Sequence, residues 1–174
     1  MPAYDDEEDA ELLNVIIETP KGSRNKFKYD EKRGVFYLSG VLPAGAVFPF
    51  DFAYLPSPEG EDGDPLDILL LMDEPAFAGC LIPARLLGVI EAEQTERDGK
   101  TERNDRLVAV AAKSHTHRDV QDLSDLNDAL LDEVEHFFKS YNDARGKAFK
   151  PTGRFGKERA HELVQQGMAR AEDG

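Results

Sequence analysis

Three carboxylates, Asp62, Asp64 and Asp67, stand at i, i+2 and i+5 on a turn that runs straight into Ile68-Leu69-Leu70-Leu71-Met72. Gly63 permits the turn, Pro65 stiffens it, and the apolar run reads as a buried strand. A residue before proline is driven toward an extended backbone, so Asp62 and Asp64 are expected to project to one side while Asp67 enters from the start of the strand. Carboxylates crowded in this way repel one another unless some protonate or a cation joins them, and hard oxygen donors suit Mg²⁺ or Mn²⁺. A solvated acidic turn between two strands is the alternative, and spacing alone leaves both open. A calcium-binding EF-hand is excluded: that loop needs a glycine at its sixth position and a glutamate at its twelfth, whereas Gly63 directly follows Asp62 and Pro65 and a leucine-rich strand come soon after.

Charge narrows the ligand. The 174-residue chain has a formal net charge of −14, which argues against nucleic acid, since a phosphate backbone is bound chiefly by Lys and Arg. A small polyanion is still compatible, given divalent cations as a bridge and a local basic patch for its outer oxygens. Lys21-Gly22-Ser23-Arg24-Asn25-Lys26 is such a basic turn in an acidic chain. His115-x-His117 resembles a chelating pair, but it lies among Ser114, Thr116 and Arg118 with no third soft ligand near in sequence, so both are read as surface residues. His136 and His161 fall on expected helices as packed or solvated side chains.

The elements that must position these groups fit one domain of residues 12–174, preceded by an acidic tail over residues 1–11 that is expected to be flexible. A hydrophobic content of 40% is enough for a single core. No apolar run approaches the length needed to cross a bilayer, and the N-terminus is acidic where a secretory signal would be basic; a cytoplasmic location is expected. The lone cysteine, Cys80, fits a reducing compartment and a packing role.

Apolar density and Gly/Pro punctuation predict strands over Leu12 to Glu18, Lys26 to Tyr29, Val35 to Leu38, Ala46 to Tyr54, Asp67 to Met72, Leu81 to Glu93 and Arg106 to Ala112. Gln94 to Asn104 reads as a long polar hairpin turning at Asp98-Gly99. A helix is predicted from a cap at Ser124 or Asp125, with Leu126, Leu130, Val134, Phe137, Phe138 and Tyr141 on one side and Gly146 beyond its end. A second runs from about Lys157 to Ala171, weakened by Gly167. Sheet first and helices after implies an α+β fold built on a small antiparallel sheet or barrel.

The motif Asp62-Gly63-Asp64-Pro65-Leu66-Asp67 with its following strand resembles the signature of the soluble family I inorganic pyrophosphatases. The similarity extends to Val15-Ile16-Ile17-Glu18-Thr19-Pro20, Gly88-Val89-Ile90 and Glu135-His136-Phe137-Phe138-Lys139-Ser140-Tyr141, in the family's order along most of the chain. The resemblance implies a five-stranded antiparallel OB-like barrel with two C-terminal helices, and Mg²⁺-dependent hydrolysis of pyrophosphate by a metal-activated water. It implies several Mg²⁺ ions, with Mn²⁺ a possible replacement. Asp62 and Asp67 would be metal ligands, Glu18 would act on an outer ion, and Asp64 would be the base beside the attacking water. Lys26, Arg106 and Tyr141 would hold phosphate oxygens. A homo-oligomer, trimer or hexamer, is implied as well.

Several positions depart from the family pattern. Lys28 stands where a glutamate is usual, Gly40 where an arginine is, and Phe48 and Phe52 where two tyrosines are. Asn104 and Arg106 replace the aspartate and lysine of an Asp-x-Lys segment, with Asp105 as a substitute ligand if the turn shifts by one residue. Asn142 replaces a lysine, and Asp98 and Glu102 are unranked candidates for acidic ligands on the long hairpin. Asparagine keeps an oxygen but loses a charge, and arginine keeps a charge but presents a planar fork. These departures leave a second reading open: a pyrophosphatase-fold protein with altered phosphoanhydride specificity, or a low-activity phosphate- or metal-binding oligomer.

Overall fold

The computed structural model describes Ala3, residues 12–59 and residues 65–173. The acidic run from Asp5 to Glu11 and the turn carrying Asp62 and Asp64 therefore lie outside the described residues. The chain runs β1 (Leu12–Thr19), β2 (Asn25–Asp30), β3 (Val35–Val41), β4 (Asp51–Glu59), β5 (Pro65–Leu71), β6 (Leu81–Thr95), β7 (Thr101–Arg103) and β8 (Arg106–Ala111). A single 3₁₀ turn at Leu123–Asp125, helix α1 (Asp128–Asp143), β9 (Ala148–Gly156) and helix α2 (Lys157–Asp173) complete it.

Strands β1, β4, β5, β8 and β6 pair in that order, and β6 pairs back onto β1, so these five form a ring. The β5–β8 pair is parallel, with Ile68 opposite Leu107 and Leu71 opposite Val110; the other pairs of the ring are antiparallel. The long excursion through β6 and β7 supplies the crossover that a parallel pair requires. Ring strands are covered on both faces, which explains why Ile68 to Leu71 and Leu107 to Ala111 are continuously apolar. Phe52, Leu69, Leu71, Val108 and Val110 pack with Leu131, Val134 and Phe138 of α1. Leu13, Ile17, Ile68, Leu70 and Leu107 pack with Ala160, Leu163 and Val164 of α2.

The β2–β3 hairpin forms its own two-stranded sheet and is tied to the end of β1 through Thr19. The Thr19 hydroxyl donates to the Phe27 carbonyl at 3.1 Å, and the Phe27 N–H donates back to Thr19 Oγ1 at 3.0 Å.

Three element boundaries differ from the sequence expectation. Residues 46–50 form an irregular approach to β4, which instead extends to Glu59. Helix α1 begins after Asn127, whose side chain accepts from the Ala129 N–H, and not at Ser124 or Asp125. Asp122 and Asp125 exchange reciprocal side-chain to backbone bonds around the 3₁₀ turn, and Leu126 then leaves the helical region, so capping is spent one turn early. Strand β9 was not expected from sequence. It pairs with β6 from Gly88 to Thr95 despite Pro151, because the register slips between Glu91 and Ala92 and the proline sits at that irregularity.

Candidate active site

Five of the candidate residues come from four strands and a helix and line one cavity of about 720 Å³: Glu18, Lys26, Asp67, Arg106 and Tyr141. Glu18 lies where the β1–β4 register shifts between Ile17 and Thr19, an irregularity of the kind that re-aims a side chain out of the regular alternation. Asp67 and Arg106 stand one residue before the first paired positions of β5 and β8, Ile68 and Leu107, so they share the mouth of the parallel pair. Alternation puts both on the α1 side, with Leu69 and Val108. Lys26 comes from β2 opposite Gly40, and Tyr141 from the last turn of α1.

The cavity holds charges under tension. Burial, and then the neighbouring Asp67 carboxylate, push the Glu18 carboxyl up to about 7; Lys28, the Tyr29 N–H and Lys26 oppose this. That N–H donates to Glu18 Oε2 at 3.4 Å, a long bond. Burial, followed by the charges of Lys28 and Arg145, pushes the Lys26 ammonium down to about 7. Its Nζ lies 5.1 Å from the centroid of the Tyr141 ring. Burial also raises Tyr141, whose hydroxyl accepts from Arg145 Nη1 at 3.1 Å.

Arg106 is the most confined of the set. It is 5% exposed, and Nη1 donates both to Asp67 Oδ2 in a short ion pair and to Asn104 Oδ1 at 2.6 Å. Its guanidinium carbon lies 4.7 Å from the Phe138 centroid, 5.7 Å from Phe149 and 5.8 Å from Phe52. The polar line continues outward: Asn104 Nδ2 donates to Gln94 Oε1 at 2.8 Å, Gln94 Nε2 donates to Glu96 at 2.9 Å, and Glu96 pairs with Lys147 at 2.7 Å.

The departures from the family pattern can now be placed. Lys28, Phe48, Phe52 and Asn104 line the same cavity, and the Phe48 ring sits 5.4 Å from Phe137 and 6.0 Å from Tyr141, so the phenylalanines form an aromatic wall. Gly40 lines a neighbouring cavity of about 380 Å³, which shares Lys26, Tyr141 and Arg145 with the first. Asn142 turns into its own helix and donates to the Phe138 carbonyl at 2.8 Å. Asp105 does not stand in for Asn104: it accepts from the Ala92 N–H at 3.1 Å and pairs with Arg103 at 2.8 Å. Of the hairpin candidates, Glu102 lines the cavity and pairs with Lys100, whereas Asp98 accepts from the Lys100 N–H and shapes the turn. His115 and His117 belong to a loop organised by Asp73, which accepts from Ser114 Oγ and from the His115 and Thr116 N–H groups.

Sequence reasoning passed over Arg145, Gln94 and Lys147, all of which line the cavity. Two of them, Arg145 and Lys147, flank Gly146, the left-handed residue just past α1, at φ 72°. Basic residues bracketing a helix-terminating glycine, close behind an aromatic candidate, were the available signal.

A divalent cation fits the described donors in kind. Among the described residues Glu18 is a buried carboxylate with one long backbone donor, and the charge of Asp67 is close enough to raise it; a hard cation would satisfy the carboxylate and relieve the repulsion. Among the described residues no three His, Cys, Asp or Glu side chains gather into a metal site, so further ligands would have to come from elsewhere.

The comparisons with known proteins agree with this geometry. The family model for inorganic pyrophosphatase matches residues 15–172. The inorganic pyrophosphatase of Halalkalibacterium halodurans is 38% identical over 159 residues, covering 91% of this chain and 94% of the relative. That of Leifsonia xyli is 36% identical over 174 residues, covering 99% and 98%. Among solved structures, the inorganic pyrophosphatase of Thermus thermophilus superposes with a TM-score of 0.87 at 32% identity, over 99% of this chain and 97% of that one.

Proposed function

The chain belongs to the inorganic pyrophosphatase family, and from that premise we propose that its cavity hydrolyses inorganic pyrophosphate to two phosphates with Mg²⁺ as the working ion. The observation that carries the reading is the convergence of Glu18, Asp67, Lys26, Arg106 and Tyr141 on one cavity in an otherwise strongly acidic protein. Mn²⁺ has the same preference for oxygen donors and is the natural replacement.

Glu18 and Asp67 would hold metal, together with Asp62, and Asp64 would take the proton of the attacking water. Bound cations supply a water of lowered pKa and neutralise phosphate oxygens. The chain's own groups do the rest. Lys26 and Arg145 bring positive charge to the wall that Tyr141 forms, and the Tyr141 hydroxyl can donate to an anionic oxygen while it accepts from Arg145. Arg106 keeps the Asp67 carboxylate facing the cavity. The aromatic wall of Phe48 and Phe52 fixes these groups without adding hydrogen-bond donors of its own. In assembly and location the reading extends to a homo-oligomer, trimer or hexamer, in the cytoplasm.

Purified protein with Mg²⁺ and pyrophosphate should release phosphate, and Asp64→Asn should abolish most of that release. Wild type and variant equally inert with Mg²⁺, Mn²⁺ and Zn²⁺ would defeat the catalytic reading. A panel of pyrophosphate, tripolyphosphate and a nucleoside diphosphate in the same buffer tests whether the Lys28, Gly40, Phe48 and Phe52 departures redirect specificity.

A further inference from the structure

We propose that Arg106 is a built-in counter-cation: its guanidinium stands at the point where a divalent ion would otherwise bridge Asp67 and residue 104, and the chain carries one fewer divalent ion there as a result. The inference rests on the functional reading above in one respect, that the cavity takes divalent cations.

The geometry makes Arg106 a fixed charge. A single nitrogen, Nη1, donates to oxygens of both Asp67 and Asn104, so the positive group already occupies the position between those two side chains. Three phenylalanine rings, Phe52, Phe138 and Phe149, surround the guanidinium within 5.8 Å. Nε is buried with no partner among the described residues, a cost the site accepts while the head group stays where it is. A guanidinium tolerates this environment better than an ammonium, because it is weakly hydrated and stacks on aromatic faces.

The residue at 104 fits the same arrangement. A neutral asparagine lends Arg106 an oxygen without a second charge, and its amide is oriented by Gln94, which accepts from Nδ2 at 2.8 Å. With Asp67 Oδ2 engaged by Arg106 and no charge on Asn104, these two side chains offer a divalent ion little between them, and an ion held jointly with Glu18 would use the other Asp67 oxygen. Two carboxylates without the guanidinium would make a strong bridge for one. Arg106 is thus a positioning residue for Asp67 that also sets the ion count at this corner.

The test is a Mn²⁺ titration of metal-free protein, following the resonance of free Mn²⁺ and the heat of binding in parallel. Wild type should bind Mn²⁺. Arg106→Gln should tighten the tightest step by about tenfold or more, as expected on removing a unit charge a few ångströms from the ion. The double variant Asn104→Asp with Arg106→Gln should take up one additional equivalent, and Arg106→Lys should restore the wild-type curve. Unchanged affinity in Arg106→Gln, or unchanged stoichiometry in the double variant, would overturn the proposal. If Arg106→Gln does not fold, Asn104→Asp alone decides: with the guanidinium in place it should gain no ion, and a gained equivalent would overturn the proposal. Wild type that neither binds Mn²⁺ nor turns over pyrophosphate would remove the functional reading as well; turnover with an indifferent Arg106→Gln removes the counter-cation alone.

Discussion

The Lys26 ammonium lies 5.1 Å from the centroid of the Tyr141 ring, so the β2–β3 hairpin and the end of α1 are joined at the wall of the cavity by a cation and an aromatic face. The ring also carries the Arg145 guanidinium at 5.0 Å, and its hydroxyl is the atom that Arg145 Nη1 reaches. Tyr141→Phe keeps both ring contacts and deletes that hydroxyl. It should leave stability nearly unchanged. It should lower kcat/KM for pyrophosphate by roughly 10- to 100-fold, the range for losing a hydrogen bond to a charged group. Steady-state phosphate release read beside a urea midpoint checks both halves.

Lys26 sets a pH limit. Its ammonium is pushed from the ordinary value of 10.5 down to about 7, so in the free protein the charged form is lost as pH rises through neutrality. If that charge receives pyrophosphate, kcat/KM should fall on the alkaline side with an apparent pKa near 7. The kcat limb should lie at higher pH, since a bound anion holds the proton on. Lys26→Arg cannot titrate in this range, so its alkaline limb should vanish. For stability the sign is opposite to that of a paired lysine. Between the folded and unfolded values the unfolded chain binds more protons, so this residue's penalty is complete below about 7 and relaxes as pH rises toward 10.5.

Most of the ring is legible in the sequence because its cues are local, and much of the cavity is legible through the family resemblance. Continuous apolar runs mark the strands buried on both faces, whereas Glu18, Lys26, Asp67, Arg106 and Tyr141 are named as a set by the family resemblance, and the structure brings them to one cavity. The illegible parts depend on pairing across long separations. The β9 strand forms only because β6 is long enough to template it across a register slip, and Pro151 hides it from any alternation test. The resemblance implies a phosphate contact for Arg106; its cage of Phe52, Phe138 and Phe149 and its ion pair with Asp67 depend on side chains from five elements meeting, which no local cue reveals. The start of α1 was misplaced by one turn because two acidic residues, Asp122 and Asp125, closed a 3₁₀ turn on each other.

Gly88 marks where β6, β9 and the 3₁₀ turn touch. A Cβ there would lie 2.4 Å from the Phe155 carbonyl oxygen and 2.7 Å from Leu123 Cβ, and the first of these is backbone that cannot swing aside. Gly88→Ala should destabilise the fold by about 3 kcal/mol, at the upper end for overpacking. The denaturation midpoint should drop at unchanged slope, whereas Gly99→Ala, at an open turn with φ 87°, should cost less. Equal losses at the two positions would mean that the three elements do not meet as closely as described.

Metal removal separates binding from chemistry. Glu18 and Asp67 repel each other across the cavity, and a cation that joins them stabilises the folded chain beyond its effect on turnover. Chelation with EDTA should therefore abolish phosphate release and also lower the thermal midpoint. At Mg²⁺ about 100-fold above its Kd the linkage is about 2.7 kcal/mol, which for a chain of this size is roughly 5–11 °C. Glu18→Gln removes one of the two charges and one ligand together, so its midpoint should rise slightly in EDTA and respond less to added Mg²⁺. A midpoint indifferent to EDTA in the wild type, with activity nonetheless lost, would place the essential ion on pyrophosphate in solution and leave Glu18 and Asp67 without a cation to hold.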